Sequence, residues 1–338
     1  MISRYSTTNN ERQVKEPYSD LGVRLTIDEL LALRREANAL DLSSNYRVSS
    51  TLAGGYRSRF RGRGMDFDEV RQYQAGDDIR NINWRVTART GTPHTKLFRE
   101  ERERPVFLLI DQSSHLFFGS RNAFKSVVAA RAAALLIWAS ITEGSRIGGV
   151  LFDESGHLEH RPSGRRRDAL ALLKEVTFRH NKLLDSLQDF HRKSASQSTE
   201  VKTEKSPFSQ SLARLRRLAK PGSLIYIMSD FRDMDKDAKR HISRLGQHNV
   251  IQAYLLTDPL DSQLPPPGNY SLTNGEVISK INTSDNSMRQ QYHDAETSRI
   301  STLTTYLKQQ RILLQPLSTT DKISVVLAAA NTPRLVAK

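Results

Sequence analysis

The strongest constraint on this chain is a set of apolar runs without polar alternation: VFLLID (106–111), RIGGVLF (146–152), SLIYIMSD (223–230) and VIQAYLLTD (250–258). A strand with one wet face alternates. An unbroken apolar run therefore marks a strand covered on both faces, the condition of a parallel sheet between helices. Helical segments separate the runs: 122–142, RRDALALLKEVTF (166–178), SQSLARLRRLAK (209–220) and the polar stretch 287–310, with ILLQPLS (312–318) as a last strand. HLEHRPS (157–163) makes a hairpin with the second run through a turn at DESG, and YSLTNGEVISKI (270–281) forms a two-strand excursion about Asn274-Gly275. Strand–helix alternation of this kind predicts an α/β fold with a doubly wound, mostly parallel sheet.

The remaining segments divide the chain. Residues 1–24 are polar and read as disordered, without the apolar core of a secretory leader. TIDELLALRREANAL (26–40) is a helix with Thr26 as N-cap and Glu29 three residues on. From 47 to 104, Gly, Arg, Asp and aromatic residues mix without a helical period. We group 25–104 as an N-terminal helix plus a small, irregular, β-containing region. Residues 105–330 form the α/β domain, with a polar, flexible insertion at 188–207. The apolar run 126–142 within the helical segment 122–142 is about a turn short of a bilayer span and contains Arg131, so it reads as a core helix. No membrane span and a cytoplasmic location are the expectation.

Asp111 and Asp230 end the runs VFLLID and SLIYIMSD and form the candidate pair. In doubly wound sheets ligands sit beyond the carboxyl ends of the strands, where strand order reverses. Ser113 follows Asp111 on the same loop, while Ser206 and Ser209 precede the helix that leads into the second strand. Together they offer hard oxygen donors of the type magnesium or manganese accepts. The alternative is a capped strand end, since Asp followed by Ser commonly closes a turn.

This D-x-S spacing resembles the metal-ion-dependent adhesion site of von Willebrand factor A domains. The resemblance implies Asp111 and Ser113 as ligands, Asp230 as the closing aspartate acting through water, and Ser206 (or Ser209) in the place of a threonine. His115 stands where the pattern has a second serine, and imidazole suits softer metals than magnesium. The implied magnesium or manganese would be held weakly or not at all.

A more specific block lies earlier, RSRFRGRGMDFDEVRQYQAGDDIRNINWRVTAR (57–89). Asp66, Asp68, Asp77 and Asp78 alternate with Arg71, Arg80, Arg85 and Arg89. A two-metal nuclease would use such acids, but an arginine near each one points to neutralised carboxylates that fix a loop. Trp84 reads as a core anchor. The pattern carried by Gly62, Gly64, Asp66, Phe67, Arg71, Tyr73, Gly76, Asp77, Asp78, Arg80, Ile82, Trp84, Ala88 and Arg89 resembles that of DUF58 proteins, bacterial proteins in which an A-like domain follows such a block. The resemblance extends over residues 27 to 328. It implies partnership with a MoxR-type AAA+ ATPase and other A-domain proteins, in a chaperone-like or assembly role.

Composition frames the functional choices. The 338 residues carry 51 Lys+Arg against 37 Asp+Glu, a net charge of +14 that favours acidic partners. Cysteine is absent, which excludes disulfides and thiolate chemistry. The chain has no P-loop, G-x-G-x-x-G, nucleophile elbow or H-E-x-x-H. His115 and His180 read as surface or loop residues rather than general bases. The reading is a non-enzymatic interaction adaptor. Nucleic-acid binding through RSRFRGRG is the alternative, against which the 7% aromatic content offers no stacking platform.

Overall fold

The computed structural model describes residues 22–40, 42, 65–100, 105–192, 206–273 and 278–331. The elements run α1 (Ile27–Ala32), α2 (Arg34–Ala37), β1 (Met65–Gln72), α3 (Trp84–Thr90), β2 (His94–Glu100), β3 (Pro105–Asp111), α4 (Lys125–Thr142), β4 (Arg146–Asp153), β5 (Gly156–Ser163) and α5 (Arg166–Arg192). They continue with α6 (Pro207–Leu218), β6 (Leu224–Ser229), α7 (Lys236–Gly246), β7 (Val250–Thr257), α8 (Pro259–Ser262), β8 (Asn269–Thr273), β9 (Ile278–Asn282), α9 (Asn286–Gln309), β10 (Leu313–Ser318) and α10 (Ile323–Asn331). The chain divides into two compact units, residues 53–103 and the remainder.

In the larger unit six strands form one sheet in the order β10-β7-β6-β3-β4-β5. All neighbours are parallel except the β4–β5 hairpin. The chain builds β3, β4 and β5 outward in one direction, then returns to lay β6, β7 and β10 on the other side of β3. The reversal falls between β3 and β6, whose registers align Ile110 with Met228. Asp111 and Asp230 therefore project beyond adjacent strand ends at the switch point.

The continuous apolar runs are explained by two separate cores. Val106, Leu108 and Ile110 face a cluster built with α1, α2, α4, α5 and α10, while Phe107 and Leu109 face another built with α6, α7 and α9. Tyr226 and Met228 share the first, Ile225 and Ile227 the second. Helix α4 is long and apolar enough to cross a membrane by composition, yet 83% of it is buried inside the protein. It is the central helix of the first layer.

The N-terminal helix does not group with 53–103. Leu25, Leu30 and Ala37 lie in the first core, Trp138 Nε1 donates to the Leu30 carbonyl at 2.9 Å, and Arg131 pairs with Glu29. The boundary at 25 is displaced for the same reason. Residues 22–24 are ordered: Phe124 N donates to Gly22 O at 2.8 Å, and His180 Nε2 bonds Val23 O at 2.8 Å. His180 is buried, against expectation, stacked on Phe117 with ring centroids 4.7 Å apart. Burial and the nearby Arg24 charge lower its pKa to about 4, although the Val23 bond opposes them. Residues 1–21 lie outside the described residues. So do 193–205 of the expected insertion, whose ends are helix: α5 runs to Arg192 and α6 starts at Pro207. Strands β8 and β9 pair antiparallel as expected, with their turn outside the described residues.

The smaller unit is the antiparallel pair β1–β2 with α3 between the strands in sequence. Arg71 pairs with Asp77 at 2.7 Å, and the other Asp77 oxygen accepts from Gln74 N. Asp78 caps the turn at Arg80 N, and Asn83 caps α3. Asp77 is thus bonded to an arginine and to backbone, and Asp78 to backbone. Gly76 takes a left-handed φ of 105°, which explains a glycine there. Trp84 is corrected: it stands 68% exposed at the first position of α3. A two-stranded unit offers no second layer to cover it. Gly62 and Gly64 lie outside the described residues.

Candidate functional site

Each strand reaching the carboxyl edge at the centre of the sheet ends in an aspartate that organises the following loop. Asp111 Oδ1 accepts from Ser113 N at 3.0 Å and Ser113 Oγ at 2.6 Å, and its Oδ2 accepts from Ser229 Oγ at 2.6 Å. Asp153 makes the same turn with Ser155, and Asp258 caps α8 at Leu260 N while accepting from Thr319 Oγ1. The Asp-x-Ser spacing alone thus recurs as a turn device.

Asp230 is different because cations converge on it. His115 Nε2 lies 3.2 Å from Oδ1, Lys125 Nζ 3.4 Å and Arg232 Nε 3.3 Å from Oδ2, and the Arg232 backbone N–H donates to Oδ1 at 3.1 Å. The last bond requires the chain to fold back, and Phe231 does so at a φ of 56°, held by burial and an edge-on contact with Phe208. A bulky residue in that region costs roughly 1 kcal/mol or more, so the turn is sustained by its packing.

Lys125 is 2% exposed, at the first position of α4, and also reaches Asp261 at 3.3 Å. A cation at a helix N-terminus opposes the helix dipole, and a buried ammonium requires paired acids. Asp230 and Asp261 meet both demands. Arg232 extends the network to Asp261 at 3.4 Å and Glu296 at 3.6 Å, and Arg299 clamps Glu296 at 2.7 Å.

The electrostatics follow this geometry. Burial raises the Asp111 carboxyl to about 6, although His115 and the two serines oppose it. For His115, burial favours the neutral ring, but the bond to Asp230 and the charges of Asp230 and Asp111 prevail and raise it to about 9. Burial would also raise Asp230, yet His115 and Lys125 hold it well below the usual carboxylate range.

Asp111, His115 and Asp230 present one ligand atom each within 4.8 Å of one another, a group that could hold a metal ion. Two carboxylates and an imidazole suit manganese better than magnesium. Against this donor set stands the charge balance, because both Asp230 oxygens already carry positively charged donors. Ser206 does not join the group. Its hydroxyl caps α6 at Ser209 N and donates to Asp233 O at 3.3 Å, while Ser209 Oγ donates to Asp235. Ser206 before α6 and Ser209 in its first turn are used to fasten two helix starts. The sequence reading missed Lys125, Ser229, Arg232 and Asp261. Its one available signal was a lysine heading the most apolar helix.

A family model described as "Protein of unknown function DUF58" matches residues 69–301, more than half of the chain. Uncharacterized proteins of Mycobacterium tuberculosis and Mycobacterium bovis are 34% identical over 112 residues, which cover 33% of this chain and 35% of theirs. The chain therefore spans about a third of the length of these curated relatives. Among solved structures, the conserved hypothetical protein BatB from Bacteroides thetaiotaomicron aligns at 10% identity and a TM-score of 0.41, over 67% of this chain and 96% of BatB. A von Willebrand factor type A protein from Catenulispora acidiphila aligns at 11% identity and a TM-score of 0.33, over 70% of this chain and 44% of its own. With Arg71 to Arg89 of the signature block and most of the α/β domain inside the matched residues, the chain belongs to the DUF58 family.

Proposed function

We propose that this chain is a non-enzymatic interaction adaptor that offers its strand-tip crevice to an acidic partner, in an assembly with a MoxR-type AAA+ ATPase. The observation that carries the reading is the crevice itself. It sits at the switch point of the sheet, where α/β folds bind ligands, and its polar groups are bonded to one another, with no activated nucleophile beside a base among the described residues. The net charge of +14 favours and steers acidic surfaces. The ATPase is implied by the family resemblance, and the cytoplasmic setting is the expectation from the sequence. If magnesium or manganese binds, Asp111, Ser113 and Asp230 are the residues that would hold it, with His115 as a nitrogen ligand; such an ion supplies a coordination position for a partner carboxylate.

The test is capture of the MoxR-type ATPase encoded in the same genome by the tagged full chain, with and without chelator. Capture lost in Asp230→Asn supports the reading. Capture that is absent under all conditions removes the adaptor role, and binding of RNA whose affinity falls steeply with salt would replace it with the nucleic-acid alternative.

A further inference from the structure

The cations that already occupy the crevice separate two kinds of interaction site. A divalent site keeps its carboxylates free for the ion, with waters or hydroxyls completing the shell. Here Asp111 is filled by three hydrogen bonds from Ser113 and Ser229. Asp230 is filled by four donors, three on the side chains of His115, Lys125 and Arg232 and one on the Arg232 backbone. Lys125 is the decisive group. It arrives on a helix, is buried, and places its ammonium between Asp230 and Asp261 at 3.4 and 3.3 Å. A divalent ion at Asp230 would stand close to that fixed charge, and like charges at these separations repel with little solvent between them to screen them. Arg232 is the exposed member of the set, its side chain 39% exposed. Its Nε and one terminal nitrogen serve Asp230, Asp261 and Glu296, which leaves the other terminal nitrogen without an acceptor among the described residues.

We propose that Lys125 supplies this crevice's cation from within the chain, so that the site takes a partner carboxylate on Arg232 with no divalent ion. The inference deepens the adaptor reading and rests on it for the source of the carboxylate. Lys125 does for Asp230 and Asp261 what a metal would do, as a point charge built into α4. Arg232 keeps a directed donor for an incoming acid, where an ion would keep an open coordination position.

Two measurements on the full chain test this. The first is thermal unfolding and manganese electron paramagnetic resonance of wild type and Lys125→Met. Wild type is expected to leave manganese free and to unfold at the same temperature in manganese and in chelator. Lys125→Met is expected to unfold lower and to recover with manganese, and Lys125→Met/Asp230→Asn to show no recovery. Manganese binding by wild type that disappears in Asp111→Asn overturns the proposal. So does a folded Lys125→Met that ignores manganese. Should Lys125→Met not fold, wild type and Lys125→Arg, both expected to ignore manganese, decide the question.

The second measurement is binding of a labelled hexaglutamate peptide in chelator. Arg232→Ala is expected to weaken it about tenfold, the effect of losing one charge-assisted hydrogen bond. Lys308→Ala, on the exposed end of α9, should change it less than twofold. Equal losses in both variants reduce the binding to net charge and overturn the assignment. Metal-free, Arg232-dependent peptide binding without ATPase capture sinks the adaptor reading and leaves the site standing. ATPase capture with manganese held on Asp111 does the reverse.

Discussion

His115 should make folding stability fall between neutral and alkaline pH, and His115→Gln should remove that fall. The folded-state value is about 9 against an ordinary 6.5. A base raised on folding contributes fully below its unfolded value and loses the contribution as pH rises through the folded one. The window is therefore pH 6.5 to about 9. A difference of this size corresponds to about 3 kcal/mol, and the 30% exposure of the ring reduces it to about 2 kcal/mol through solvent screening. Asp111 acts in a separate range. Its raised value means the folded state holds the proton more tightly, so its contribution is present below 3.8 and lost as pH rises through about 6. Urea unfolding at pH 6, 8 and 10 for wild type and His115→Gln isolates the histidine, since lysines and tyrosines elsewhere titrate alike in both. Wild type should lose about 2 kcal/mol more than the variant from the lowest to the highest pH. Parallel pH profiles would refute the coupling of His115 to Asp230.

Three further perturbations follow from the packing. Trp138→Phe removes the hydrogen bond to Leu30 O and part of the contact with α1, and should cost about 2 kcal/mol in urea unfolding, without changing the secondary structure seen by circular dichroism. Gly22→Ala meets a φ of 93° and a Cβ position 2.1 Å from Asn122 O, so the segment before α1 should detach and become the first site of limited proteolysis. Ser206→Ala should cost about 1 kcal/mol as a lost α6 cap, with no change in the response to manganese; a changed metal response would restore Ser206 to the ligand set.

The sheet was legible because its physics is local. A strand covered on both faces must be apolar at every position, and VFLLID and SLIYIMSD show this without reference to any partner. The two cores that split their odd and even residues are the same fact in three dimensions. The Arg71–Asp77 pair was readable for a similar reason, since its members stand only six positions apart. Other assignments depended on neighbours distant in sequence. Whether Trp84 is covered depends on a second layer, which a β-hairpin unit lacks. Whether 26–40 belongs with the block that follows or with α4 depends on the Leu30–Trp138 contact, across 108 residues.

The sequence by itself determined that aspartates would crown the central strands, because apolar runs ending in Asp can go nowhere else. Only the tertiary structure decided what those aspartates face. Lys125 reads as an ordinary cation at the head of a helix, and Asp261 as part of a short capping turn. Their meeting over Asp230 depends on how α4 and α8 approach the sheet, at separations of 105 and 136 residues. A charge is paid for by its surroundings, and surroundings are a property of the fold. The chain's pattern therefore places the carboxylates, and its packing sets the Lys125 ammonium between Asp230 and Asp261.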